Sequence, residues 1–304
     1  MARSPGTTEP LSGFQAWKAA ARPHTLPAAV VPVLVGSGLA YGKDAARWDA
    51  FIWALVGALA IQVAANLAND ASDAHRGADT PDRLGPPRMV ALGVIDSRQM
   101  WFATWVAVGM AVVAGIFLTV IAGWVVLLIG ASSVIAMLGY VGGPAPYGYR
   151  GLGELFVFVF FGLVATAGSR YVHDMTAPFD AWLLAVPIGM LVTAILVANN
   201  YRDIATDERT GKRTLAVRMG AARTRTLFIV LVFGAFVAIA LFATVGWTPV
   251  STLFSCFLLP FAAVPVRILS VKSDGPALVR ALKATARLHL AVGVSLAGAV
   301  AFVP

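Results

Sequence analysis

The chain has 304 residues, of which 59% are hydrophobic and 12% charged, and its formal net charge is +8. A soluble domain carries about 25% charged residues. These values, with a mean hydropathy of +0.79, exclude an ordinary soluble fold and point to an all-α polytopic membrane protein. The single cysteine, Cys256, excludes an intramolecular disulfide and a cysteine metal cluster, and the positive charge is what basic cytoplasmic loops supply, so no nucleic-acid partner is inferred.

From the N-terminus, the first 20 residues lack an apolar core of the signal-peptide type, and 1–22 reads as a cytoplasmic N-terminal segment. The uncharged stretches 23–42, 51–69, 155–169, 181–201 and 288–304 each read as one membrane span. The stretch 99–149 is uncharged for 51 residues and reads as two spans, with Gly123 at the turn. The stretch 226–266 is 41 residues and again reads as two, broken near Gly246 and Pro249. The expectation is nine helices forming one domain over 23–304.

With the N-terminus inside, the outer loops hold Lys43, Arg47 and Arg170 against Asp44, Asp49, Asp174 and Asp180. The other side takes the remaining 20 of 23 basic and 11 of 15 acidic residues, a balance of +9 against −1. The positive-inside rule then places the N-terminus in the cytoplasm of a bacterial cell and, after an odd number of spans, the C-terminus outside the inner membrane.

Two polar stretches end apolar runs. In NLANDASDAHRGAD, residues Asn66, Asn69, Asp70 and Asp73 fall at i, i+3, i+4 and i+7, one face of a helix. In ANNYRDIATDERTGKRT, Asn199, Asp203 and Asp207 fall at i, i+4 and i+8, again one face. Carboxylates at a membrane edge are costly and functional as a rule. An ordinary solvated loop accounts for one such Asp, but less well for the same pattern occurring twice. Clustered carboxylates repel one another unless a hard cation intervenes, and oxygen-only donors favour Mg²⁺ over zinc. The neighbouring cations Arg76, Arg83 and Arg88, and Arg202, Lys212 and Arg213, suit the other side of a diphosphate. Asp70, Asp73, Asp203 and Asp207 are thus the candidate catalytic and metal-binding residues, joined by Asp79 as a fifth metal ligand. Asn66, Asn69, Arg76, Asn199, Arg202 and Lys212 are candidate substrate contacts. Tyr140, Tyr147 and Tyr149, with Arg150, in or beside a Gly/Pro-rich segment, are candidates for a lid or for contacts to an aromatic acceptor. Arg22 reaches the substrate or snorkels to headgroups. Glu154 reads as a helix cap, and His75, Asp82 and Glu208 as solvated. Phe156, Phe158, Phe160 and Phe161 do not alternate helically, so at least half are expected to face lipid.

These motifs resemble the UbiA superfamily of intramembrane prenyltransferases, whose members carry one Asp-rich motif after helix two and another after helix six. Asn69, Asp70 and Asp73 match the first motif, but Gly77 stands where a third Asp is expected and Asp79 is its substitute. Asp203, Asp207, Gly211 and Lys212 match the second. Within the family the chain is similar to the members that act on 1,4-dihydroxy-2-naphthoate, over ARPHTLPAAVVPVLVG, YVGGPAPYGYRGLGELFVFVFFG, NNYRDIATDERTGKRTLAVRMG and TARLHL. Members acting on 4-hydroxybenzoate, the alternative acceptor, typically show Asn-Arg-Pro where this chain has RLGPPR.

The resemblance implies nine helices around a lipid-accessible cavity. It also implies Mg²⁺-dependent ionisation of a polyprenyl diphosphate, then attack of the allylic cation on the ring with loss of CO₂ and pyrophosphate, giving demethylmenaquinone. A competing class is a secondary transporter of an anionic substrate, disfavoured because transporter sites lie near the midplane.

Overall fold

The computed structural model describes residues 13–78, 84–85, 87–142, 146–272 and 274–303. The chain is helical throughout these residues. The helices are α1 (Gly13–Ala21), α2 (Pro27–Tyr41), α3 (Trp48–His75), α4 (Ser97–Ala122), α5 (Val125–Val141), α6 (Gly153–Asp174), α7 (Phe179–Arg209), α8 (Leu215–Thr244), α9 (Val250–Val271) and α10 (Gly275–Phe302). Seven of these are long and apolar enough to cross a membrane, and the bent pair Gly13–Thr25 and Pro27–Tyr41 makes an eighth. The 17-residue α5 is a shorter apolar helix. Among the described residues each of the nine expected apolar stretches therefore has its helix. The turns fall where the sequence placed them: Gly123, at φ 80°, separates α4 from α5, and Gly246, at φ 76°, precedes Pro249 and α9. Both backbones are left-handed, a region glycine enters at no steric cost.

The helices carrying the acidic motifs are longer than their uncharged cores. α3 continues past Ala65 to His75 and α7 past Tyr201 to Arg209, so residues 66–73 and 199–207 are helical rather than in loops, while Gly211 and Lys212 follow the end of α7. α1 and α2 meet at 48° across a break where Arg22 has φ 51°. α1 buries Ala16 and Ala20 against Leu67 and Ala71 of α3 and leaves Phe14 exposed.

α7 is the central helix. Leu184, Ile188, Leu191, Ala194 and Val197 are all buried, meeting Phe228, Val232 and Phe236 of α8 and Val292 and Leu296 of α10. The outer surface is the reverse of a soluble protein's: Phe102, Val120, Ile135, Phe257 and Val271 are each at least 70% exposed. So much exposed apolar surface is stable only against lipid. Small residues let the helices close in. A Cβ on Gly36 of α2 would collide with Thr166 O of α6, and one on Gly162 of α6 with Gly189 Cα of α7.

The middle of α6, Phe158–Val164, is π-helical. The α6 residues facing the interior recur every four positions: Phe156 and Val157, Phe160 and Phe161, Val164 and Ala165, then Gly168 and Ser169, and Val172. On a straight α-helix a four-residue repeat drifts about 40° round the axis each time. The wider i→i+5 turns take up that drift and hold one face on the interior.

Candidate active site

α2 to α7 enclose a cavity of about 330 Å³. α3 lines it with Ala54, Gly57, Ile61, Ala65, Asn69 and Asp73, a face that runs roughly 28 Å at the helical rise. The far part is apolar, walled by Val33, Leu118, Val126 and Ile129. The near end is charged: Arg22, Arg88, Arg202 and Lys212 line it together with Asp73, Asp203 and Asp207. The two acidic motifs, 130 positions apart at Asp73 and Asp203, thus converge on one space.

The acids are tied to cations and to each other's loops. Arg88 donates from Nη2 to Asp73 Oδ2 at 2.9 Å, and Lys212 Nζ stands 3.5 Å from the same oxygen. Tyr149 donates its hydroxyl to Asp73 Oδ1 at 2.7 Å. Its ring lies between two cations, Lys212 Nζ 4.9 Å and Arg76 Cζ 5.5 Å from the centroid. Its carbonyl accepts from the Arg213 N–H at 3.1 Å. Tyr149 therefore clips the first motif to the second. Arg202 donates from Nε to Asp203 Oδ1 at 2.7 Å and from Nη2 to Asn199 Oδ1 at 2.9 Å.

Several sequence candidates stand elsewhere than expected. Asp70 is buried but does not line the cavity: its carboxylate accepts from the Met89 N–H at 3.1 Å and the Val90 N–H at 3.0 Å. These two bonds bring the returning chain, and so Arg88, against Asp73. Asn66 does line the cavity, but its amide donates to Ala21 O and Thr25 Oγ1, both at 2.9 Å, which ties α3 to the α1–α2 break and so to Arg22. Asn69 lines the cavity and makes no side-chain hydrogen bond among the described residues. Arg76 and Arg150 are exposed and lie outside the lining, and Tyr149 is beside the cavity rather than in it. The spacing argument put these residues on a face or in a segment; it carried no information on which partner would claim each side chain. Asp79 lies outside the described residues.

Among the described residues no three His, Cys, Asp or Glu side chains gather closely enough to hold a metal together. This departs from the expected shared carboxylate cluster: Asp73 is paired with Arg88 and Lys212, Asp203 with Arg202, and Asp70 with backbone N–H groups. The donor chemistry still fits Mg²⁺, because Asp73, Asp203, Asp207 and Asn69 present only oxygen and amide groups to one space.

The aromatic wall is fuller than the sequence reading allowed. Phe156, Phe160 and Phe161 all line the cavity, because of the π turn. Phe156 stacks on Tyr147 at 3.9 Å and on Phe160 at 6.0 Å, and Tyr140 meets Tyr147 edge-on at 5.5 Å. Tyr147 donates to Ala136 O at 2.6 Å, and burial pushes its phenol above the ordinary value, so it stays protonated. Sequence reasoning also missed His24, Gln62 and Asn200 in the lining. Asn200 sits beside Asn199 in NNYRD, and nothing in the spacing distinguished the two.

The UbiA prenyltransferase family model matches residues 29–290. The chain is 38% identical to 1,4-dihydroxy-2-naphthoate octaprenyltransferase of Mycobacterium tuberculosis over 96% of its length and 99% of the relative's. It is also 38% identical to the Escherichia coli protein of that name, over 78% and 79%. A UbiA homolog from Archaeoglobus fulgidus bound to DMAPP and Mg2+ superposes with a TM-score of 0.68 at 12% identity, covering 93% of this chain and 99% of that one. The apo UbiA homolog from Aeropyrum pernix gives 0.66 at 14% identity, over 90% and 95%. This multi-pass membrane chain belongs to the UbiA prenyltransferase family.

Proposed function

We propose that the chain transfers a polyprenyl group from a polyprenyl diphosphate to 1,4-dihydroxy-2-naphthoate, losing CO₂ and pyrophosphate and giving the prenylated naphthalenediol, the reduced form of demethylmenaquinone, with Mg²⁺ as cofactor. The observation that carries it is one cavity, roughly 28 Å long along α3, with four cations and three carboxylates at one end and an apolar wall behind them. An anionic head on a long apolar tail fits such a cavity. The names of the relatives supply the acceptor.

Arg22, Arg88, Arg202 and Lys212 bind the diphosphate and stabilise the charge that grows on it as the allylic C–O bond breaks. Mg²⁺ held by Asp73, Asp203 and Asp207, with Asp79 assigned to the same set by the motif, supplies further neutralisation of that leaving group. Phe156, Phe160 and Phe161 face the allylic cation with π density and keep water away. The reaction sits in one domain over 23–304, with 1–22 and both motifs on the cytoplasmic side.

The test is purified protein, Mg²⁺, a polyprenyl diphosphate, and 1,4-dihydroxy-2-naphthoate beside 4-hydroxybenzoate. The expected product is a prenylated naphthalenediol lighter than the simple adduct by one CO₂. Prenylated 4-hydroxybenzoate with its carboxylate retained, and no naphthoate product, would overturn the acceptor. No transfer to either acid would overturn the activity.

A further inference from the structure

Glu154, the second residue of α6, belongs to neither acidic motif and is 6% exposed. Its Oε1 accepts from Asn200 Nδ2 at 2.9 Å. Its Oε2 is buried and has no hydrogen-bond partner among the described residues. A buried carboxylate is costly, and one left half-satisfied calls for an explanation. Its partner faces the cavity: Asn200 lines it from α7, beside Tyr140 and Phe156. Asn200 makes one side-chain hydrogen bond, the one to Glu154, so among the described residues nothing claims its Oδ1. Tyr140 closes over the same spot, since a Cβ on Gly153 would stand 3.1 Å from its ring.

We propose that Asn200 and Glu154 form the hydroxyl-recognition site for the aromatic acceptor, Asn200 Oδ1 accepting from a ring O–H and Glu154 acting as the positioning residue behind it. The proposal rests on the aromatic-prenylation reading above. Glu154 takes one amide N–H, which fixes the orientation of the Asn200 amide and leaves its oxygen toward the cavity. The carboxylate charge also makes that oxygen a better acceptor.

This is the group the chemistry asks for. As the diphosphate C–O bond breaks, its electron pair leaves on pyrophosphate. The ring carbon bearing the carboxylate supplies a π pair to form the new C–C bond, and the ring becomes cationic, with much of the charge on the adjacent hydroxyl. That O–H then donates more strongly, and Asn200 Oδ1, backed by a negative charge, stabilises it more than in the ground state. Loss of CO₂ returns the C–C pair to the ring, which regains aromaticity with its hydroxyl proton still in place. No base is consumed, and an amide suffices where a carboxylate motif is absent.

The experiment compares Glu154→Gln, Asn200→Ala and the double variant with the parent protein. It measures kcat and KM for each substrate and adds one further acceptor, the naphthoate with its 1-hydroxyl methylated. Glu154→Gln keeps the bond to Asn200 and removes only charge, so kcat is expected to fall about tenfold or more, with KM for the prenyl diphosphate unchanged. Asn200→Ala is expected to raise KM for the acceptor and lower kcat, and the double variant to be no worse, because Glu154 acts through Asn200. The parent protein is expected to turn over the methylated acceptor at the variants' reduced rate. A parent protein that prenylates both acceptors equally well overturns the proposal even where a variant does not fold, as does a Glu154→Gln enzyme with parental kinetics. A parent protein that prenylates no aromatic acid defeats the reading beneath it instead.

Discussion

Asp73 is held by Arg88, Lys212 and Tyr149 at once, and Asp203 by Arg202. Asp73→Asn and Asp203→Asn keep shape and remove charge. Each is expected to lower kcat/KM about a hundredfold or more, in a prenyl-transfer assay at matched membrane expression. Lys212→Ala removes one cation from the diphosphate end and is expected to raise KM for the prenyl diphosphate about tenfold, with kcat less affected. Asp70→Asn differs in kind. Its carboxylate accepts two backbone N–H groups, and an amide presents one acceptor oxygen to them. The loss is of loop position, so thermal stability is expected to fall along with activity. Parental melting for Asp70→Asn would return it to the role the sequence assigned. At this scale the sequence was half legible. Helical spacing collected Asn66, Asn69, Asp70 and Asp73 on one face, yet whether a carboxylate meets the cavity or a peptide N–H depends on the path of residues 88–90, which the spacing does not encode.

Among the elements, α6 is the one whose behaviour the sequence concealed. Four phenylalanines in six positions look like a lipid-facing run, and a uniform α-helix would indeed have turned some of them outward. The π segment brings Phe160 and Phe161 to the cavity together, and it fits because Gly162 and Gly189 let α6 and α7 approach at that level. Apolar pattern alone does not announce a change of helical pitch. Gly162→Val is expected to destabilise the protein by about 1–3 kcal/mol, read as a lower midpoint in thermal unfolding in detergent. It is also expected to depress turnover, by displacing the aromatic wall. Unchanged stability and turnover would mean that α6 does not need the close approach. By contrast, the spans and their breaks at Gly123 and Gly246 were readable, because a left-handed glycine between two uncharged runs leaves few alternatives.

For the whole molecule, the bundle's polarity is the first expectation. The charge balance of +9 against −1 predicts that both motifs are inside, so a reporter fused to the C-terminus and active only in the cytoplasm is expected to be silent. An active one would invert the topology. The metal is the second: chelating Mg²⁺ is expected to abolish transfer, and restoring it to recover transfer fully, in the same purified sample.

The ion pairs at Asp73 and Asp203 also set an order of events. At rest the charged end is largely its own counter-ion: Arg88 and Lys212 are lent to Asp73 and Arg202 to Asp203, acids that a metal needs. A divalent ion arriving alone must evict arginine or lysine and leave it stranded, and a diphosphate arriving alone must do the same to aspartate. Arriving together, each takes the partner the other displaces, so the two ligands are thermodynamically coupled. Mg²⁺ titrated calorimetrically into the protein is expected to bind weakly, and at least tenfold more tightly, about 1.4 kcal/mol, once a non-hydrolysable prenyl diphosphonate is present. A charged end wired in this way is expected to resist a lone divalent cation until an anionic lipid head arrives with it.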